Sequence, residues 1–474
     1  MNKTSLVVLA LCAGVPLLAE GPSVQVYGIL DAGVANVAHS LDFDPNFPVA
    51  TNPNPQKAAH SATGMFNGGL SQTRVGLKGS MSLVDDWKAF FTLESAINLT
   101  SGAVSNGAVG IAQSVSATNM GSANYMNADT HINGQLFSRG AFIGASHPVY
   151  GTFTLGHQMS LMLEAIPGYD ALGGAQLFTP IGFSGGYGGG GVTDDSRVDN
   201  AFKYRVKVGD FSLGLLHKFS GASGNPTSRG AEQVNLAYES GNFGILAAYQ
   251  SFKDATATGA GVSETLTGTG GTVVIGEVTY PVTGVTVVVP QPGTISLTFQ
   301  DTQSFWLAAR YKMDPVTFFA GYQTLKFSNP SNPGDDAGVT SMWNLVVSKV
   351  TLTPYTIAGV EQDKKQHIWW AGASWDVTSK FNAALSYYDM TQDDYSQGTY
   401  NPVTVNNTKG PGSQKFISAL LDYKVTKAFD LYLGYMHSEN GGALSQGFAP
   451  GTTGYVAGYS ASNSTLGLGA RYKF

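Results

Sequence analysis

The sequence is short of charge and of long apolar runs. Charged residues make up 12% of the 474 residues and hydrophobic residues 43%, so charge is at about half of its usual share in soluble proteins. After the N-terminus no stretch reaches the ~18 apolar residues of a transmembrane helix. The apolar residues instead alternate with Gly, Ser, Thr and Asn. The net charge of -6 argues against nucleic acid as a partner.

Cysteine is almost absent, and the single one, Cys12, lies in a segment with the features of a secretory signal peptide. Residues 1–19 combine a short basic start, an apolar stretch and a small residue at the end. We expect cleavage just before Glu20, give or take a few positions. Leu11 stands where a lipoprotein needs a small residue, so that alternative is disfavoured. The mature chain, 20–474, then has no thiol, which excludes disulfide bonds and a cysteine nucleophile.

Strict alternation of apolar and other residues is the pattern that the sequence does contain. It is clearest in the last segment, Ser464–Phe474, and it recurs in Ser23–Val34, Thr73–Leu83 and Trp87–Asn98. This period of two is typical of β-strands with one apolar and one polar face. Further strand-like segments lie at about 138–147, 151–158, 197–208, 211–219, 231–240, 243–252, 304–312, 316–327, 364–377, 381–391, 414–425 and 429–438.

About sixteen strands of roughly ten residues, joined alternately by short turns and long polar loops, predict an all-β fold: a transmembrane antiparallel β-barrel. A chain of alternating strands without a core needs a second sheet or a lipid phase, and only a closed barrel pairs every backbone group inside a bilayer. Two further segments, 272–299 and 342–357, also have the pattern of hairpins. They are either excursions outside the barrel or a wall hairpin that raises the count to eighteen.

The first strand, Ser23–Val34, has the sequence SVQVYGILDAGV, which resembles the first strand of the general, diffusion-type porins of Gram-negative bacteria. The long loops have no such match. Supporting matches are SQTRVGLKG at 71–79, FTLES at 91–95, GTFTLGHQ at 151–158, RVDNAFKY at 197–204 and the terminal GARYKF.

This resemblance implies a sixteen-stranded, water-filled barrel in the outer-membrane lipid that passes small hydrophilic solutes and ions by diffusion. It also implies a homotrimer, no cofactor and no catalytic site. Tyr472 and Phe474 resemble the C-terminal signal by which the outer-membrane barrel assembly machinery recognises its substrates. A substrate-specific channel with the same wall is the alternative.

In such porins the third long loop folds into the lumen and narrows it, and here that loop is expected at residues 159–196. It carries Glu164 and Asp170, which we expect to face basic residues of the wall across a narrow aqueous gap. Its Gly-rich run, 185–191, permits a close approach of backbone to wall. The run lacks the Gly-Lys-Ser/Thr ending of a phosphate-binding loop.

Charge on the lipid-facing side of a barrel is costly, so alternation predicts which residues line the pore. Val75, Leu77, Phe142, Phe202 and Tyr204 are expected to face lipid. The basic residues expected to face the lumen are Arg74, Lys78, Arg139, Arg197, Lys203 and Arg205. The other residues expected at the pore are Asp31, Glu94 and His157.

His157 departs from the family pattern, in which arginine usually follows Leu-Gly at this point. Imidazole is mostly neutral at pH 7 and changes its charge over about pH 5 to 7. The sequence therefore predicts a weakened basic row and a conductance that depends on pH over that range. The eight histidines show no recognisable pairing motif with serine or aspartate, which disfavours a barrel enzyme.

Overall fold

A computed structural model describes most of the wall and parts of several long loops. The described residues are 22–42, 57–102, 104, 136–182, 197–220, 230–253, 263–267, 271–275, 278–282, 286–290, 301–328, 331, 364–393, 411–442 and 460–474. The signal segment 1–19, the Gly-rich run 185–191 and the segment 342–357 lie outside the described residues.

The described chain is almost entirely β-strand. The first ten strands are β1 (Ser23–Asp42), β2 (Lys57–Asn67), β3 (Arg74–Ser82), β4 (Lys88–Ala96), β5 (Gly140–His147), β6 (Gly151–Met159), β7 (Arg197–Val208), β8 (Phe211–Lys218), β9 (Ala231–Ser240) and β10 (Phe243–Phe252). Four short strands follow: β11 (Ser263–Thr267), β12 (Gly271–Ile275), β13 (Val278–Val282) and β14 (Thr286–Pro290). The last seven are β15 (Asp301–Met313), β16 (Val316–Ser328), β17 (Lys364–Asp376), β18 (Phe381–Gln392), β19 (Gly412–Lys424), β20 (Phe429–Gly442) and β21 (Ser460–Lys473). Helix α1 (Leu161–Tyr169) and a 3-10 turn (Pro180–Gly182) lie between β6 and β7.

Each wall strand pairs antiparallel with its neighbours, and β21 pairs with β1 to close the barrel. On its other edge β1 pairs with β2 over residues 32–42 and with β3 over residues 23–29. Strands β2 and β3 therefore occupy one wall position, interrupted at residues 68–73. With this pair counted once and β11–β14 left out, the wall has sixteen positions, which confirms the predicted fold.

Two segments differ from the strand pattern expected from sequence. Strands β11 and β14 pair with each other, as do β12 and β13, and neither pair joins the wall. The segment 272–299 therefore does not raise the count to eighteen. Between the expected segments Ser23–Val34 and Thr73–Leu83, polar residues also lie in strands, since β1 continues to Asp42 and β2 spans Lys57–Asn67. Backbone pairing needs no apolar side chains, so it extends beyond the amphipathic part of each strand.

The two faces of the wall are distinct. Apolar residues such as Leu468, Val34 and Ile143 point outward and are exposed. The inward face of β10 and β15–β20 carries buried apolar side chains, which pack against the loop that follows β6. No helix in the described parts of the chain is long and apolar enough to span a membrane.

Candidate pore site

Residues 160–182, here called the inner loop, run along the inside of the barrel wall. Ser160 caps helix α1, and its side chain accepts a hydrogen bond from Leu163 N at 3.2 Å, which satisfies one free backbone donor of the first turn. Met162 and Ile166 are buried in an apolar cluster with side chains of the wall. Trp370 Nε1 donates to Tyr169 O at 2.9 Å. The loop is therefore held to the wall along the length of α1.

Asp170 does not face the basic wall, which corrects the expectation from sequence. It is buried just after α1, and its carboxylate accepts hydrogen bonds from Tyr388 Oη at 2.6 Å and from Gly174 N at 2.9 Å. Burial raises the pKa of Asp170 above its ordinary value, and these hydrogen bonds oppose that rise. Apolar residues on both sides of Asp170 pack against the wall. The hydrogen bond between Tyr388 and Asp170 therefore helps to hold the inner loop to β18.

Glu164, in the first turn of α1, contacts the basic wall directly. Lys203 Nζ donates to Glu164 Oε1 at 2.6 Å, and Arg205 Nη2 donates to Glu164 Oε2. Lys203 is buried and also donates to Met159 O at 3.1 Å. The expected acidic and basic residues therefore meet as an ion-paired group, without the aqueous gap that was expected between them.

A second charged group lies on β3 and β4 and centres on Glu94. Arg139 Nε lies 2.6 Å from Glu94 Oε1, and Arg74 Nε lies 3.5 Å from Glu94 Oε2. Tyr27 Oη donates to Glu94 Oε2 at 2.9 Å, and Lys78 Nζ lies 5.0 Å from the centre of the Tyr27 ring. Arg139 itself is buried. Arg74, Lys78 and Glu94 share the inward face, as alternation predicts.

Arg197 lies elsewhere, buried at the start of β7 and paired in register with Met159. The structure therefore does not arrange the six predicted basic residues as one row along the pore.

Asp31 is also not a pore-facing group, although it lies on the inward face of β1. It is buried, and its carboxylate accepts hydrogen bonds from the backbone N–H groups of Gly69, Leu70 and Ser71 at 3.1, 2.9 and 2.7 Å. Tyr432 Oη donates to the same carboxylate. These bonds hold the turn that interrupts the strand between β2 and β3, which is a structural role.

His157 lies on the outer face of the wall, which corrects its expected place in the pore. It pairs with Ala141 and alternates with Leu155, which is 51% exposed. Its Nδ1 lies 2.5 Å from Asp199 Oδ1, and its Nε2 lies 2.9 Å from Ser138 O. An irregularity between Gly156 and Gln158 changes the register with β7, and no sequence pattern indicated it.

Phe142 was expected to face lipid, but it lies on the inward face of the wall. It pairs with Thr92 and Gly156, whereas its neighbour Ile143 is outward and 64% exposed. Strand alternation placed Phe142 on the lipid-facing side and Arg139 on the opposite face. That residue precedes β5, so strand alternation does not apply to it.

Two pore residues that sequence reasoning missed are Arg310 on β15 and Glu239 on β9. Arg310 Nη2 donates to Glu239 Oε1 at 2.6 Å, and the guanidinium lies 5.6 Å from the centre of the Tyr169 ring. Alternation could have found Arg310, since it is in phase with the inward Trp306 and Ala308.

A cavity of about 510 Å³ lies beside α1 on the side of the short turns, and both charged pairs line it. The charged lining residues are Glu164, Arg205, Lys207, Glu239 and Arg310. Three cations and two carboxylates leave this cavity with one net positive charge.

The terminal strand β21 carries aromatic side chains on its outward face and a charged side chain on its inward face. Tyr472 and Phe474 are outward and stacked, with ring centres 6.0 Å apart. Phe474 N donates to Gly28 O at 3.1 Å, and Gly28 N donates to Phe474 O at 3.0 Å. On the inward face Arg471 Nε donates to Asp430 Oδ2 at 2.8 Å. The last residue therefore completes the closure of the barrel against β1.

Among the described residues, no group of three or more histidine, cysteine or acidic side chains could hold a metal ion. The interior instead combines ion pairs, a loop fastened to the wall and an open charged cavity. A closed sixteen-stranded barrel with a polar interior is the architecture of outer-membrane channel proteins.

Comparison with known proteins gives the family. The family model described as Gram-negative porin matches residues 5–443. An outer membrane porin protein of Bordetella pertussis is 28% identical over 220 residues, which are 46% of this chain and 48% of the relative. The match thus spans about half of the length of that curated relative. The chain belongs to the Gram-negative porin family, and its location is the outer membrane.

Solved structures share the fold at low identity. An anion-selective porin from Comamonas acidovorans is 18% identical with a TM-score of 0.57, and the match covers 96% of this chain and 100% of that chain. The trimer form of OmpT, an outer membrane protein of Vibrio cholerae, is 12% identical with a TM-score of 0.51. That match also covers 96% of this chain and 100% of the other.

Proposed function

We propose that this protein is a water-filled channel for the passive diffusion of small hydrophilic solutes and ions, with no catalytic role. The observation that carries the proposal is the open cavity beside α1, lined by Glu164 with Arg205 and by Glu239 with Arg310. Opposed charges beside an aqueous passage attract polar solutes and ions. The one net positive charge of the lining favours anions over cations.

Purified protein reconstituted in planar bilayers tests this function. We expect stepwise KCl conductance with a modest anion preference. Liposome swelling with neutral solutes of graded size should show a smooth size cutoff. A protein that is folded and inserted but conducts no ions would refute the channel, and uptake restricted to a single solute would refute general diffusion in favour of a substrate-specific channel.

We further propose a homotrimer. The outward face of the first strands carries exposed apolar residues, among them Val24, Val26, Met65 and Ile143. The trimer form of the similarly folded Vibrio cholerae protein supports the same assembly here. Native mass spectrometry of detergent-extracted protein should give three chains per particle; one chain per particle at the lowest detergent concentration would contradict the proposal.

The terminal aromatic residue provides a test of the proposed dependence on the barrel assembly machinery. Deletion of Phe474 removes an outward ring and two backbone hydrogen bonds to Gly28. We expect a severalfold loss of folded protein in the outer membrane, measured by heat-modifiable gel mobility, with a normal conductance per inserted channel. The control is Phe474→Tyr, which keeps an aromatic terminus. Equal assembly of the deleted chain and the control would contradict an assembly role.

A further inference from the structure

Phe178, in the part of the inner loop that follows α1, packs against the wall where β20, β21 and β1 meet. Cross-strand register places Gly434 of β20 opposite Gly467 of β21, and Gly467 opposite Ala35 of β1. These three inward positions carry at most one methyl group, so they leave room for a ring. The Phe178 side chain fills that room and is completely buried. The space over Gly434, Gly467 and Ala35 is here called the Phe178 pocket.

The ring lies closer to Gly434 than any side chain at that position would allow. A Cβ atom added at Gly434 would lie 2.5 Å from two carbon atoms of the Phe178 ring, and one added at Gly467 would lie 3.1 Å from the ring. Carbon atoms in ordinary contact are about 3.5–4.0 Å apart. The absence of side chains at these two glycines therefore lets the ring reach the backbone of the wall.

Two aromatic rings of the wall form one side of the Phe178 pocket. In the next row of the same strands Tyr432 pairs with Gly469, Gly469 with Gly33, and Gly33 with Phe66. The centre of the Tyr432 ring lies 6.3 Å from those of Phe66 and Phe178, and it meets Phe178 edge to face at 77°. This arrangement is favourable for aromatic pairs. The pocket is thus built by strands on both sides of the barrel closure.

The backbone of the inner loop is held at the same place. Leu177 N donates to Gly69 O at 3.0 Å, in the turn that the Asp31 carboxylate holds. Tyr432, which packs against Phe178, donates to that carboxylate. The pocket and the turn between β2 and β3 therefore hold two consecutive residues of the loop, Leu177 and Phe178.

Between the pocket and Asp170 the inner loop borders open space. Asp170 is held to β18 through Tyr388, and Phe178 is held to β20 and β21, so the intervening residues are fixed at both ends. Gly173 lies between these ends and is exposed, and a Cβ atom added there would meet nothing within 4 Å. Because the inner loop runs along the inside of the wall, that open space is the lumen.

We propose that Phe178 is a positioning residue of the channel, and that its depth in the Phe178 pocket sets the width of the aqueous path beside residues 171–177. The interior of a protein is close-packed, so a ring that is pushed out of its pocket takes the attached backbone with it. The lumen lies on the other side of this loop, so the displacement narrows the path. The inference rests on the proposed channel function and adds the residues that fix its size limit.

Gly434→Val tests the role of the pocket, because valine suits a strand but occupies the space of the Phe178 ring. The ring then leaves the pocket and the loop moves toward the lumen. We expect single-channel KCl conductance in planar bilayers to fall about twofold, because the passage of ions depends on the diameter of the pore. The size cutoff in liposome swelling should fall as well. An unchanged conductance and cutoff would overturn the proposal.

The double variant Gly434→Val, Phe178→Ala separates positioning from a general loss of stability. Removal of the ring makes room for the valine side chain, so the conductance should return close to the wild-type value. Phe178→Ala alone should not lower the conductance, because nothing then pushes the loop toward the lumen. A double variant that conducts as little as Gly434→Val would overturn the proposal.

The matched control is Gly441→Val, the same substitution on the same strand. Within 4 Å a Cβ atom at Gly441 would meet only Ser413 Oγ, at 3.5 Å, so the inner loop should stay in place and the conductance should match wild type. If Gly434→Val does not assemble, Gly434→Ala is measured instead, since its methyl group also displaces the ring. A wild-type conductance of that variant would equally overturn the proposal.

Failure of the channel function is distinguishable from failure of the pocket. Absence of KCl conductance from folded and inserted wild type would refute the channel. Thermal unfolding of the detergent-extracted single and double variants would then decide the pocket, because the effects of two residues in contact are not additive. A double variant that is more stable than Gly434→Val would support the contact between Phe178 and Gly434, and additive losses would overturn it.

Discussion

The two sides of helix α1 present different chemistry to the lumen. On the side of the short turns, Glu164 and Glu239 meet Arg205 and Arg310 beside an open cavity. On the side of the long loops, the inward wall carries buried, uncharged amide side chains such as Gln250 and Gln366. One barrel wall therefore supplies two surfaces that satisfy polar groups differently, the first by ion pairing and the second by hydrogen bonds of amides, such as the one from Gln366 Nε2 to Gln392 Oε1.

The difference follows from where the inner loop lies. Where α1 covers the wall, apolar side chains such as Met162 and Ile166 pack against it. The inward wall on the short-turn side of that contact carries charged pairs, and on the long-loop side of β9, β10 and β15–β18 it carries buried amide side chains such as Gln250 and Gln366. A further charged group, centred on Glu94, lies apart from both on β3 and β4. The variants below test how independent the first two regions are.

The largest effect, a loss of stability, is expected from Tyr388→Phe, because this variant removes a hydrogen bond that holds the inner loop to the wall. The variant leaves a buried Asp170 oxygen without its 2.6 Å hydrogen bond, which costs about 1–3 kcal/mol of stability. Thermal unfolding of the detergent-extracted barrel measures the loss. The control is Tyr387→Phe, on the adjacent outward position of β18, which should unfold close to wild type.

The loss should depend on pH, because burial already raises the pKa of Asp170. The folded protein then holds this proton more tightly than the unfolded chain, in which the pKa is about 3.9. Stability therefore falls as pH rises from about 4 through the folded-state pKa. Tyr388→Phe removes a bond that favours the ionised form, so it should extend this fall to higher pH. A loss that is constant with pH would contradict the account of Asp170.

Glu164→Gln should give the next largest effect, confined to the charged region. It leaves Lys203 and Arg205 without their carboxylate and raises the net charge of the cavity lining from one to two positive charges. We expect the preference for chloride over potassium to rise about fivefold, because charge near a narrow pore biases ion passage. The reversal potential in a KCl gradient measures it.

The matched control for Glu164→Gln is Glu232→Gln, which changes an exposed carboxylate beside His217. An unchanged reversal potential for Glu164→Gln would show that the cavity beside α1 is not on the ion path.

Arg310→Gln should act in the opposite direction and more weakly. The lining then loses one positive charge, while Arg310 itself is partly exposed to water, which screens its charge. We expect anion preference to fall about twofold. The conservative control is Arg310→Lys, which keeps the charge and should keep the reversal potential. A higher anion preference in the glutamine variant would contradict the placement of Arg310 at the cavity.

The smallest effect is expected from His157→Gln. Its imidazole is on the outer face, next to Asp199 and Ser138 O, so its charge is separated from both interior regions by the wall. Single-channel conductance of wild type and variant should follow the same curve between pH 5 and 7. A pH-dependent change in the conductance of wild type that is absent from the variant would place His157 in the pore. That result would contradict the register of β6.

The strand pattern could be predicted from the sequence because each wall strand meets lipid on one face. β7 was expected at 197–208 and is observed there, and the closure of the barrel through Ser464–Phe474 is also observed. The failures are local. Phe142 was expected on the face opposite Arg139, which lies outside β5, and the face of His157 depended on how β6 pairs with its neighbours.

The inner loop shows the limit of the sequence most clearly. Glu164 and Asp170 are two acidic residues six positions apart. Their residue types do not indicate which one lines the pore and which one is buried against the wall. The difference arises from what each meets: Lys203 and Arg205 in one case, Tyr388 in the other. These partners lie 39, 41 and 218 residues away along the chain.

The sequence by itself determined the barrel, its closure and the outward faces of most strands, since alternation is a local pattern that the lipid phase requires. Only the tertiary structure decided which polar residues are open to the pore, such as Glu164, and which are buried, such as Asp31 and Asp170. The physical reason is that burial and hydrogen bonding depend on contacts between strands far apart in the chain, and residue type does not encode those contacts.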